Sequence, residues 1–238
     1  MNFKDISILF VEDDPLIQKE ILAFLKEQIF SAIYVASNGS EGLQLYYEHK
    51  PDIILTDLNM PKMNGLAMSE IIKDHHPRVP ILLITSDFKK EVTERCVDIG
   101  IDGYLFKPIS LLRLKKILQS YCARVLLQKS FEEKHKLLHE YKNAIDVSSA
   151  VSKTNPNGMI TYVNDAFCEA SGYKKEELLG KNHNIIRHPE SEDSFFAQMW
   201  QTITNKQVWQ GNVKNKKKNG DFFVAKTSIV PILDNRTL

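Results

Sequence analysis

Residues 52–61 read Asp52-Ile53-Ile54-Leu55-Thr56-Asp57-Leu58-Asn59-Met60-Pro61. The residues before Asp57 form a continuous apolar run of strand length, as expected for a strand whose two faces are both covered by helices. Residues 6–11 show the same pattern and are followed by Glu12-Asp13-Asp14. Two predicted buried strands therefore each end in acidic residues.

Outward from this stretch, short apolar runs alternate with amphipathic segments. The pattern predicts strands at residues 6–11, 33–35, 52–56, 81–84 and 103–106, and helices over residues 16–25, 42–47, 66–73 and 89–97. Five β/α repeats in about 110 residues predict an open, mainly parallel, three-layer α/β domain.

Polar residues follow four of the predicted strands: Glu12 and Asp13, then Asp57, Thr85 and Lys107. In an open parallel sheet they share the carboxyl edge, where such folds bind ligands. Crowded carboxylates repel one another unless a cation is present, and oxygen ligands suit Mg²⁺. A carboxylate can also accept a phosphoryl group, while a lysine and a hydroxyl stabilise its oxygens. Taken singly, these residues could instead be helix caps or solvated charges.

This ordered set resembles the bacterial response-regulator receiver family over roughly residues 4–120. The matching segments are Val11-Glu12-Asp13-Asp14-Pro15, Thr56-Asp57-Leu58-Asn59-Met60-Pro61, Leu83-Ile84-Thr85-Ser86 and Gly103-Tyr104-Leu105-Phe106-Lys107-Pro108. The resemblance implies a flavodoxin-like (βα)5 fold with strand order 2-1-3-4-5. It also implies a cis peptide bond before Pro108. The implied donor is a histidine kinase or phosphotransfer protein.

The same resemblance implies a role for each site residue. Asp57 is the phosphoacceptor, with Thr85 and Lys107 beside it, and Thr85 and Tyr104 form the switch. The implied Mg²⁺ ligands are Glu12 (through water), Asp13, Asp57 and the Asn59 backbone carbonyl. An aspartyl-phosphate hydrolase would need an acid where Asn59 stands, because an amide cannot act as a general acid.

Residues 110–147 contain neither proline nor glycine. One helix of about 38 residues would span on the order of 55 Å. The spacing of Leu114, Leu118, Tyr121 and Val125 predicts the seam of a parallel two-helix coil, and hence a homodimer through this linker and the receiver. The alternative is that the first half is the receiver's last helix and the rest is a loosely packed linker.

Residues 148–238 predict a second, α+β domain. Asn155-Pro156-Asn157-Gly158 is a predicted turn between strands, Asn164 a predicted helix N-cap, and Asn219-Gly220-Asp221 a predicted hairpin turn. Strands at residues 151–154 and 159–163, a helix over residues 194–204 and a late strand at residues 227–230 complete the pattern.

This domain resembles the PAS sensory family, particularly its aerotaxis-receptor-like branch. The resemblance lies in Gly158-Met159-Ile160-Thr161-Tyr162-Val163-Asn164, Phe167-Cys168-Glu169-Ala170-Ser171-Gly172-Tyr173, residues 177–189, and Trp209-Gln210-Gly211-Asn212. It implies an antiparallel sheet whose last strand is lacking after Leu238, and FAD held by Asn184, Arg187, His188 and Trp200. Glu190-Ser191-Glu192 and Phe222-Phe223 depart from the flavin-binding pattern. The alternatives for this domain are a pocket that is empty or binds a small ligand, a pocket that binds haem, and a site for a partner peptide.

Composition limits the location and the partners. A formal net charge of +1 gives no case for nucleic acid or an anionic membrane as the main partner, and the basic run at residues 214–218 is interpreted as a solvated hairpin. Three scattered cysteines are typical of a reduced cytoplasmic protein, and no apolar run is long enough to span a bilayer.

The sequence therefore predicts a receiver domain at residues 1–120, a helical coiled-coil linker at 121–147 and a C-terminally truncated PAS domain at 148–238. The predicted function is that of a two-component response regulator, a phosphoacceptor switch rather than an enzyme. The alternatives are the input half of a hybrid histidine kinase or diguanylate cyclase, or a flavin-based redox-sensing adaptor.

Overall fold

The structure is a computed structural model and describes residues 3–86 and 90–232. The chain divides into two compact units, Met1–Lys134 and His135–Leu238. The elements up to residue 148 are β1 (Ser7–Val11), α1 (Pro15–Glu27), β2 (Ala32–Ala36), α2 (Gly39–His49), β3 (Ile53–Asp57), α3 (Gly65–His75), β4 (Ile81–Thr85), α4 (Lys90–Ile99), β5 (Gly103–Phe106) and α5 (Leu111–Ser148).

The five strands form one parallel sheet in the order β2-β1-β3-β4-β5. Because successive strand residues point to opposite faces, the apolar runs supply two separate cores. Ile8 and Phe10 pack with α1 and α5, whereas Leu9 and Val11 pack with α2, α3 and α4. The predicted three-layer fold and strand order are confirmed.

Helix α5 is one continuous helix of 38 residues. Its buried residues Leu114, Leu118, Cys122 and Val125 lie in the same core as β1 and β3. The prediction that Leu114, Leu118, Tyr121 and Val125 form an intermolecular seam is therefore wrong, because this face packs against the chain's own sheet. The buried residues of a helix recur with a period of about 3.6 whether the helix packs on a sheet or on a second helix, so their spacing does not identify the partner.

Polar contacts also fix α5 to the receiver sheet. Tyr121 donates a hydrogen bond to the Asp102 carbonyl, and Arg124 Nη2 lies 2.9 Å from the Asp102 carboxylate. That carboxylate is also paired at 2.7 Å with the buried Lys73. Further along, Lys129 pairs with Asp52 at 2.7 Å. The helix is thus anchored to the first unit as far as Lys129.

The second unit contains β6 (Ser152–Thr154), β7 (Ile160–Val163), α6 (Asp165–Ser171), α7 (Lys175–Leu178), a 3-10 helix (His183–Ile186), α8 (Asp193–Thr204), β8 (Trp209–Lys216) and β9 (Phe222–Ile229). The strands form two antiparallel pairs, β6-β7 and β8-β9, so the antiparallel pairing implied by the resemblance is confirmed. One core packs around Phe167 and Leu178, and a second around Met199 and Trp209.

The predicted turns and cap of this unit are confirmed. Gly158 and Gly220 adopt positive φ angles of 75° and 94° in the two turns. Asn164 caps α6 by accepting a hydrogen bond from the Phe167 amide at 2.9 Å. The late strand is part of the longer β9. Sequence reasoning missed α7 and the 3-10 helix, since four residues are too few to show a period.

Two expectations fall outside the described residues: Lys89 as the start of α4, and the lack of a strand after Leu238. Within the part of the chain that is described, no helix combines the length and the apolar composition needed to cross a membrane.

Candidate functional site

The predicted phosphoacceptor residues meet at the carboxyl edge of the parallel sheet. Glu12 and Asp13 follow β1, Asp57 ends β3, Thr85 ends β4 and Lys107 follows β5. Because these four strands are neighbours in the sheet, their ends converge. One oxygen from each of Glu12, Asp13 and Asp57 lies within 4.8 Å of the others.

Lys107 is paired with two of these acids. Its Nζ lies 3.2 Å from Asp57 Oδ2 and 3.1 Å from Glu12 Oε2, and it donates a hydrogen bond to Glu12 Oε1 at 3.2 Å. Glu12 is fully buried and Asp57 is 5% exposed. A buried carboxylate is costly unless it is paired, so the ammonium group offsets part of the charge that the fold concentrates here.

The donor set fits a hard divalent cation. Among the described residues, no donor is in hydrogen-bonding geometry with the buried Glu12 Oε2, although the Lys107 ammonium lies within ion-pair distance. A buried oxygen without a hydrogen bond, beside two further carboxylates, is a suitable ligand position for Mg²⁺ or for its bound water. The acidic cluster of Glu12, Asp13 and Asp57 is therefore consistent with Mg²⁺ binding.

Burial and mutual repulsion perturb the titration of this cluster. Burial raises the pKa of Glu12 above its usual value, and the charge of Asp57 raises it further. Burial also raises the pKa of Asp57, an effect that Lys107 opposes. For Lys107, burial lowers the pKa, but the hydrogen bond to Glu12 and the two negative charges outweigh it, so the net shift is upward. Such shifts are typical of functional sites, where like charges are held together.

The backbone carbonyls of Asp57 and Leu58 accept hydrogen bonds from Thr56 and Gly65, two residues whose role the sequence analysis missed. Thr56 Oγ1 donates to the Asp57 carbonyl at 3.0 Å, and the Gly65 amide donates to the Leu58 carbonyl at 3.0 Å. A Cβ at Gly65 would lie 1.9 Å from the Asp57 carbonyl oxygen. This close approach explains why position 65 in Met63-Asn64-Gly65 is a glycine. That glycine was the one signal in this segment of the sequence that pointed to the close contact.

The remaining receiver candidates lie around this centre. Thr85 is fully buried, and Tyr104 is half-buried against the core that contains Cys96. Asn59 is exposed and lies two residues after the acceptor, and its role as a ligand through the backbone carbonyl stays a prediction. The peptide bond between Lys107 and Pro108 is cis, as expected.

The four flavin candidates lie in the second unit. Arg187 is already engaged, with Nη2 2.8 Å from the Ser191 carbonyl and 2.6 Å from Asp193 Oδ1, and its guanidinium stacks 4.4 Å from the Phe196 ring. A pyrophosphate ligand would therefore compete with Asp193 for Arg187. The other three candidates are Asn184, exposed on the 3-10 helix, Trp200, 41% exposed on α8, and His188, 3.8 Å from Glu190.

The basic run of the β8-β9 hairpin is partly neutralised. Lys214 pairs with Glu190 at 2.7 Å and Lys218 with Glu177 at 2.6 Å. These pairs agree with its interpretation as a solvated hairpin.

Comparisons with known proteins give the same two parts. Residues 8–119 match the family described as "Response regulator receiver domain", and residues 147–237 match "PAS domain". The chain is 30% identical over 162 residues to the "Probable C4-dicarboxylate response regulator DctR" of Priestia megaterium, covering 61% of this chain and 71% of that protein. It is 40% identical over 88 residues to the "Aerotaxis receptor" of Escherichia coli (strain K12), covering 37% of this chain and 17% of the receptor.

A solved signal receiver domain, from a putative Luxo repressor protein of Vibrio parahaemolyticus, superposes with a TM-score of 0.50 at 23% identity. It covers 53% of this chain and 97% of that domain, and supports the receiver fold alone.

The chain belongs to the response-regulator family. More specifically, it is a two-component response regulator in which a receiver domain is followed by a PAS domain. A receiver is a phosphoacceptor signalling domain. The alternative of an input half of a kinase or cyclase is not favoured.

Proposed function

We propose that this chain accepts a phosphoryl group on Asp57 and relays the phosphorylated state to its PAS domain. The observation that carries the proposal is the contact of Lys107 with both Asp57, at 3.2 Å, and Glu12, at 3.1 Å, inside an acidic cluster. A carboxylate held beside a cation and further carboxylate ligands suits phosphoryl transfer, which depends on positioning and charge stabilisation.

The chain's own residues have distinct tasks in this reaction. An Asp57 carboxylate oxygen attacks the phosphorus of the donor, forming an acyl phosphate while the bond to the donor breaks. Lys107 pairs with a phosphoryl oxygen, and the Thr85 hydroxyl donates to another. When bound by Glu12, Asp13, Asp57 and the Asn59 carbonyl, Mg²⁺ would neutralise charge that develops on the phosphoryl oxygens.

The change of state is a population shift. Phosphorylation adds about −1.5 to −2 charges. We propose that Thr85 then moves toward the phosphoryl group and Tyr104 turns into the space that it leaves. The shift is limited by the difference in free energy that phosphorylation makes between the two conformations.

Partners, domain limits and location complete the proposal. The donor is a histidine kinase or phosphotransfer protein, as for receiver domains in general. The working division is a receiver at residues 1–120, a coiled-coil linker at 121–147 and a PAS domain at 148–238, with a homodimer formed through the linker helix and the receiver. A cytoplasmic location stays a prediction from the three unpaired cysteines.

The test is phosphorylation of the full chain by acetyl phosphate in the presence of Mg²⁺, followed by intact mass. The wild type and the control variant Asp74→Ala, which removes an exposed acid on α3, should each gain one phosphoryl group. Asp57→Ala, and wild type treated with EDTA, should gain none. Phosphorylation of Asp57→Ala at the wild-type rate would refute the assignment.

A second candidate function is redox sensing through FAD in the PAS domain. It is favoured by the 40% identity to the aerotaxis receptor, and opposed by the engagement of Arg187 with Asp193. Native protein that carries a visible flavin absorbance band would support this candidate. Colourless protein that takes up no added FAD would exclude it.

A further inference from the structure

Tyr104, the proposed switch residue, shares one face of the receiver sheet with Thr85. In the parallel ladder Tyr104 is paired with Leu83, which lies two residues before Thr85 on β4. Side chains two residues apart on a strand point to the same face of a sheet. Leu83 and Tyr104 both lie in the core that packs with α2, α3 and α4. Thr85 and Tyr104 therefore point toward the same helices.

Cys96 lies in this core, on the inward face of α4. It is fully buried, and the half-buried Val92 and Ile99 lie four residues before it and three residues after it, on the same helix face. A buried thiol on such a face is usually a small apolar side chain that only fills space. Cys96 differs because its thiol is hydrogen-bonded to the side chain of Tyr104.

The direction of this hydrogen bond follows from its effect on the two groups. Burial raises the pKa of the Cys96 thiol, and the hydrogen bond with Tyr104 opposes that rise. Burial also raises the pKa of Tyr104, and the charge and the hydrogen bond of Cys96 raise it further. A hydrogen bond that favours both a thiolate and a neutral phenol has the phenol as its donor. The Tyr104 hydroxyl therefore donates to Cys96 Sγ.

We infer that Cys96 is a positioning residue for the switch: it accepts the hydrogen bond of Tyr104 and holds this ring against α4 in the orientation of the unphosphorylated receiver. The inference rests on the proposed function, because it concerns the tyrosine that is proposed to turn after Asp57 is phosphorylated. The orientation is that of the unphosphorylated state because Lys107 contacts Asp57 Oδ2 itself, at 3.2 Å.

The hydrogen bond is expected to be weak, which suits a contact that must break when the ring turns. Sulfur is a weak acceptor, so the contact should change the ratio of the two ring orientations by a factor of only about two to five. Phosphorylation must overcome the same factor when Tyr104 turns away. By linkage, a variant that lacks the contact should bind beryllofluoride, an analogue of the phosphoryl group, more tightly by that factor.

The orientation of the ring can be measured by NMR on the full chain with ¹³C-labelled tyrosine. The Tyr104 signal is identified by its loss in Tyr104→Phe. In Cys96→Ala this signal should move toward the position that it takes in wild type with beryllofluoride and Mg²⁺. The matched control, Cys122→Ala, truncates a fully buried cysteine in the core on the other face of the sheet and should leave the signal in place. An unchanged Tyr104 signal in Cys96→Ala would overturn the inference.

Titration with beryllofluoride in Mg²⁺ measures the effect of the contact on the switch. The dissociation constant should fall about two- to fivefold in Cys96→Ala and stay unchanged in Cys122→Ala. Cys96→Ser introduces a side chain of nearly the size of alanine that still carries an acceptor, so its dissociation constant should lie closer to that of wild type. Equal constants for Cys96→Ala and Cys96→Ser would show that Cys96 acts through its volume, and would refute the inference.

A double-mutant cycle separates the hydrogen bond from packing. Tyr104→Phe removes the donor, so adding Cys96→Ala to Tyr104→Phe should change the dissociation constant no further. If Cys96→Ala has the same effect in the Tyr104→Phe background as in wild type, the two side chains act independently and the inference is wrong.

Failure of this inference can be distinguished from failure of the proposed function. If Asp57 is not the acceptor, wild type will neither gain a phosphoryl group nor respond to beryllofluoride. The Tyr104 signal of untreated Cys96→Ala still decides the contact in that case, because it is measured without a phosphodonor. A displaced signal supports the role of Cys96, and an unchanged signal refutes it.

Discussion

At the scale of single residues, the receiver site holds buried negative charge next to an ammonium group. Glu12 and Asp57 are taken out of water by the fold, and the charge of Asp57 raises the cost of ionising Glu12 further. Lys107 offsets this cost through contacts of 3.1 Å and 3.2 Å. The arrangement favours binding of a divalent cation over an uncompensated cluster of carboxylates.

A methyl group at Gly65 should disturb this geometry. In Gly65→Ala the new Cβ would start 1.9 Å from the Asp57 carbonyl oxygen, so the acceptor strand must shift. We expect a loss of about 1–3 kcal/mol of stability. Phosphorylation by acetyl phosphate should slow by on the order of tenfold to a hundredfold, because small misplacements of a reacting group are costly. Intact mass against time measures the rate.

Gly220→Ala is the control for the loss of a glycine. Gly220 has a φ of 94°, and among the described residues other than its chain neighbours no atom lies within 4 Å of the position that a Cβ would occupy, so this variant should strain the β8-β9 turn without changing phosphorylation. A phosphorylation rate in Gly65→Ala equal to the wild-type rate would show that the acceptor backbone tolerates the shift.

His183 should make the second unit sensitive to acid. Burial lowers the pKa of His183 below its usual value of 6.5, and its Nε2 lies 3.0 Å from Ser152 Oγ. Below pH of about 6.5 the unfolded chain binds a proton that the folded chain does not, so the free energy of unfolding decreases as the pH falls toward the folded-state pKa. The contribution is fully present above that range.

Replacing the imidazole ring of His183 should make the free energy of unfolding depend less on pH. Urea unfolding across this pH range should show a smaller loss of stability in His183→Gln than in wild type. His139→Gln, which changes an exposed histidine on α5, should retain the wild-type slope. Parallel slopes for wild type and His183→Gln would contradict the assignment.

At the scale of elements, the end of α5 is joined to the PAS core by one buried side chain. Asn164 is 5% exposed; its Oδ1 accepts from the Val151 and Phe167 amides, and its Nδ2 donates to the Ser149 carbonyl at 2.7 Å. Tyr162 adds a hydrogen bond to Asp146 in the last turns of the helix. The chain leaving α5 is therefore held by side chains of β7 and the following cap.

Removing this side chain should loosen the junction. Asn164→Ala removes the acceptor of the buried Phe167 amide and of the partly buried Val151 amide, together with the donor to the Ser149 carbonyl, and should cost about 2–3 kcal/mol. Hydrogen exchange should become faster at residues 149–152 and in the first turn of α6. The control, Asn212→Ala, removes an exposed amide on β8 and should change neither quantity. Unchanged exchange at the junction in Asn164→Ala would contradict this role.

The helices and strands also show which features of the fold can be predicted from the sequence. Apolar runs and caps located the parallel strands and Asn164, because these features depend on residues close in the chain. The face of α5 was misassigned because Leu114 and Leu118 show the same periodicity whether they meet a sheet or a second helix. Gly65 was overlooked because its importance comes from the Asp57 carbonyl, a contact that only the folded chain creates.

At the scale of the whole molecule, the chain combines a receiver domain with a PAS domain. The family match covers residues 8–119 and 147–237, and α5 spans the interval between them. Phosphorylation of Asp57 requires only that the receiver site is chemically competent. Transmission of the phosphorylated state to the PAS domain also requires a conformational change that passes through α5. The two proposals can therefore be tested separately.

The most direct test is chemical trapping of the acceptor. The full chain is treated with acetyl phosphate and Mg²⁺, reduced with borohydride and digested, and the modified residue is located by mass spectrometry. Reduction of an aspartyl phosphate yields homoserine, and we predict it at position 57 only when Mg²⁺ is present. Homoserine at another position, or no trapped residue despite incorporation of phosphate, would contradict the account.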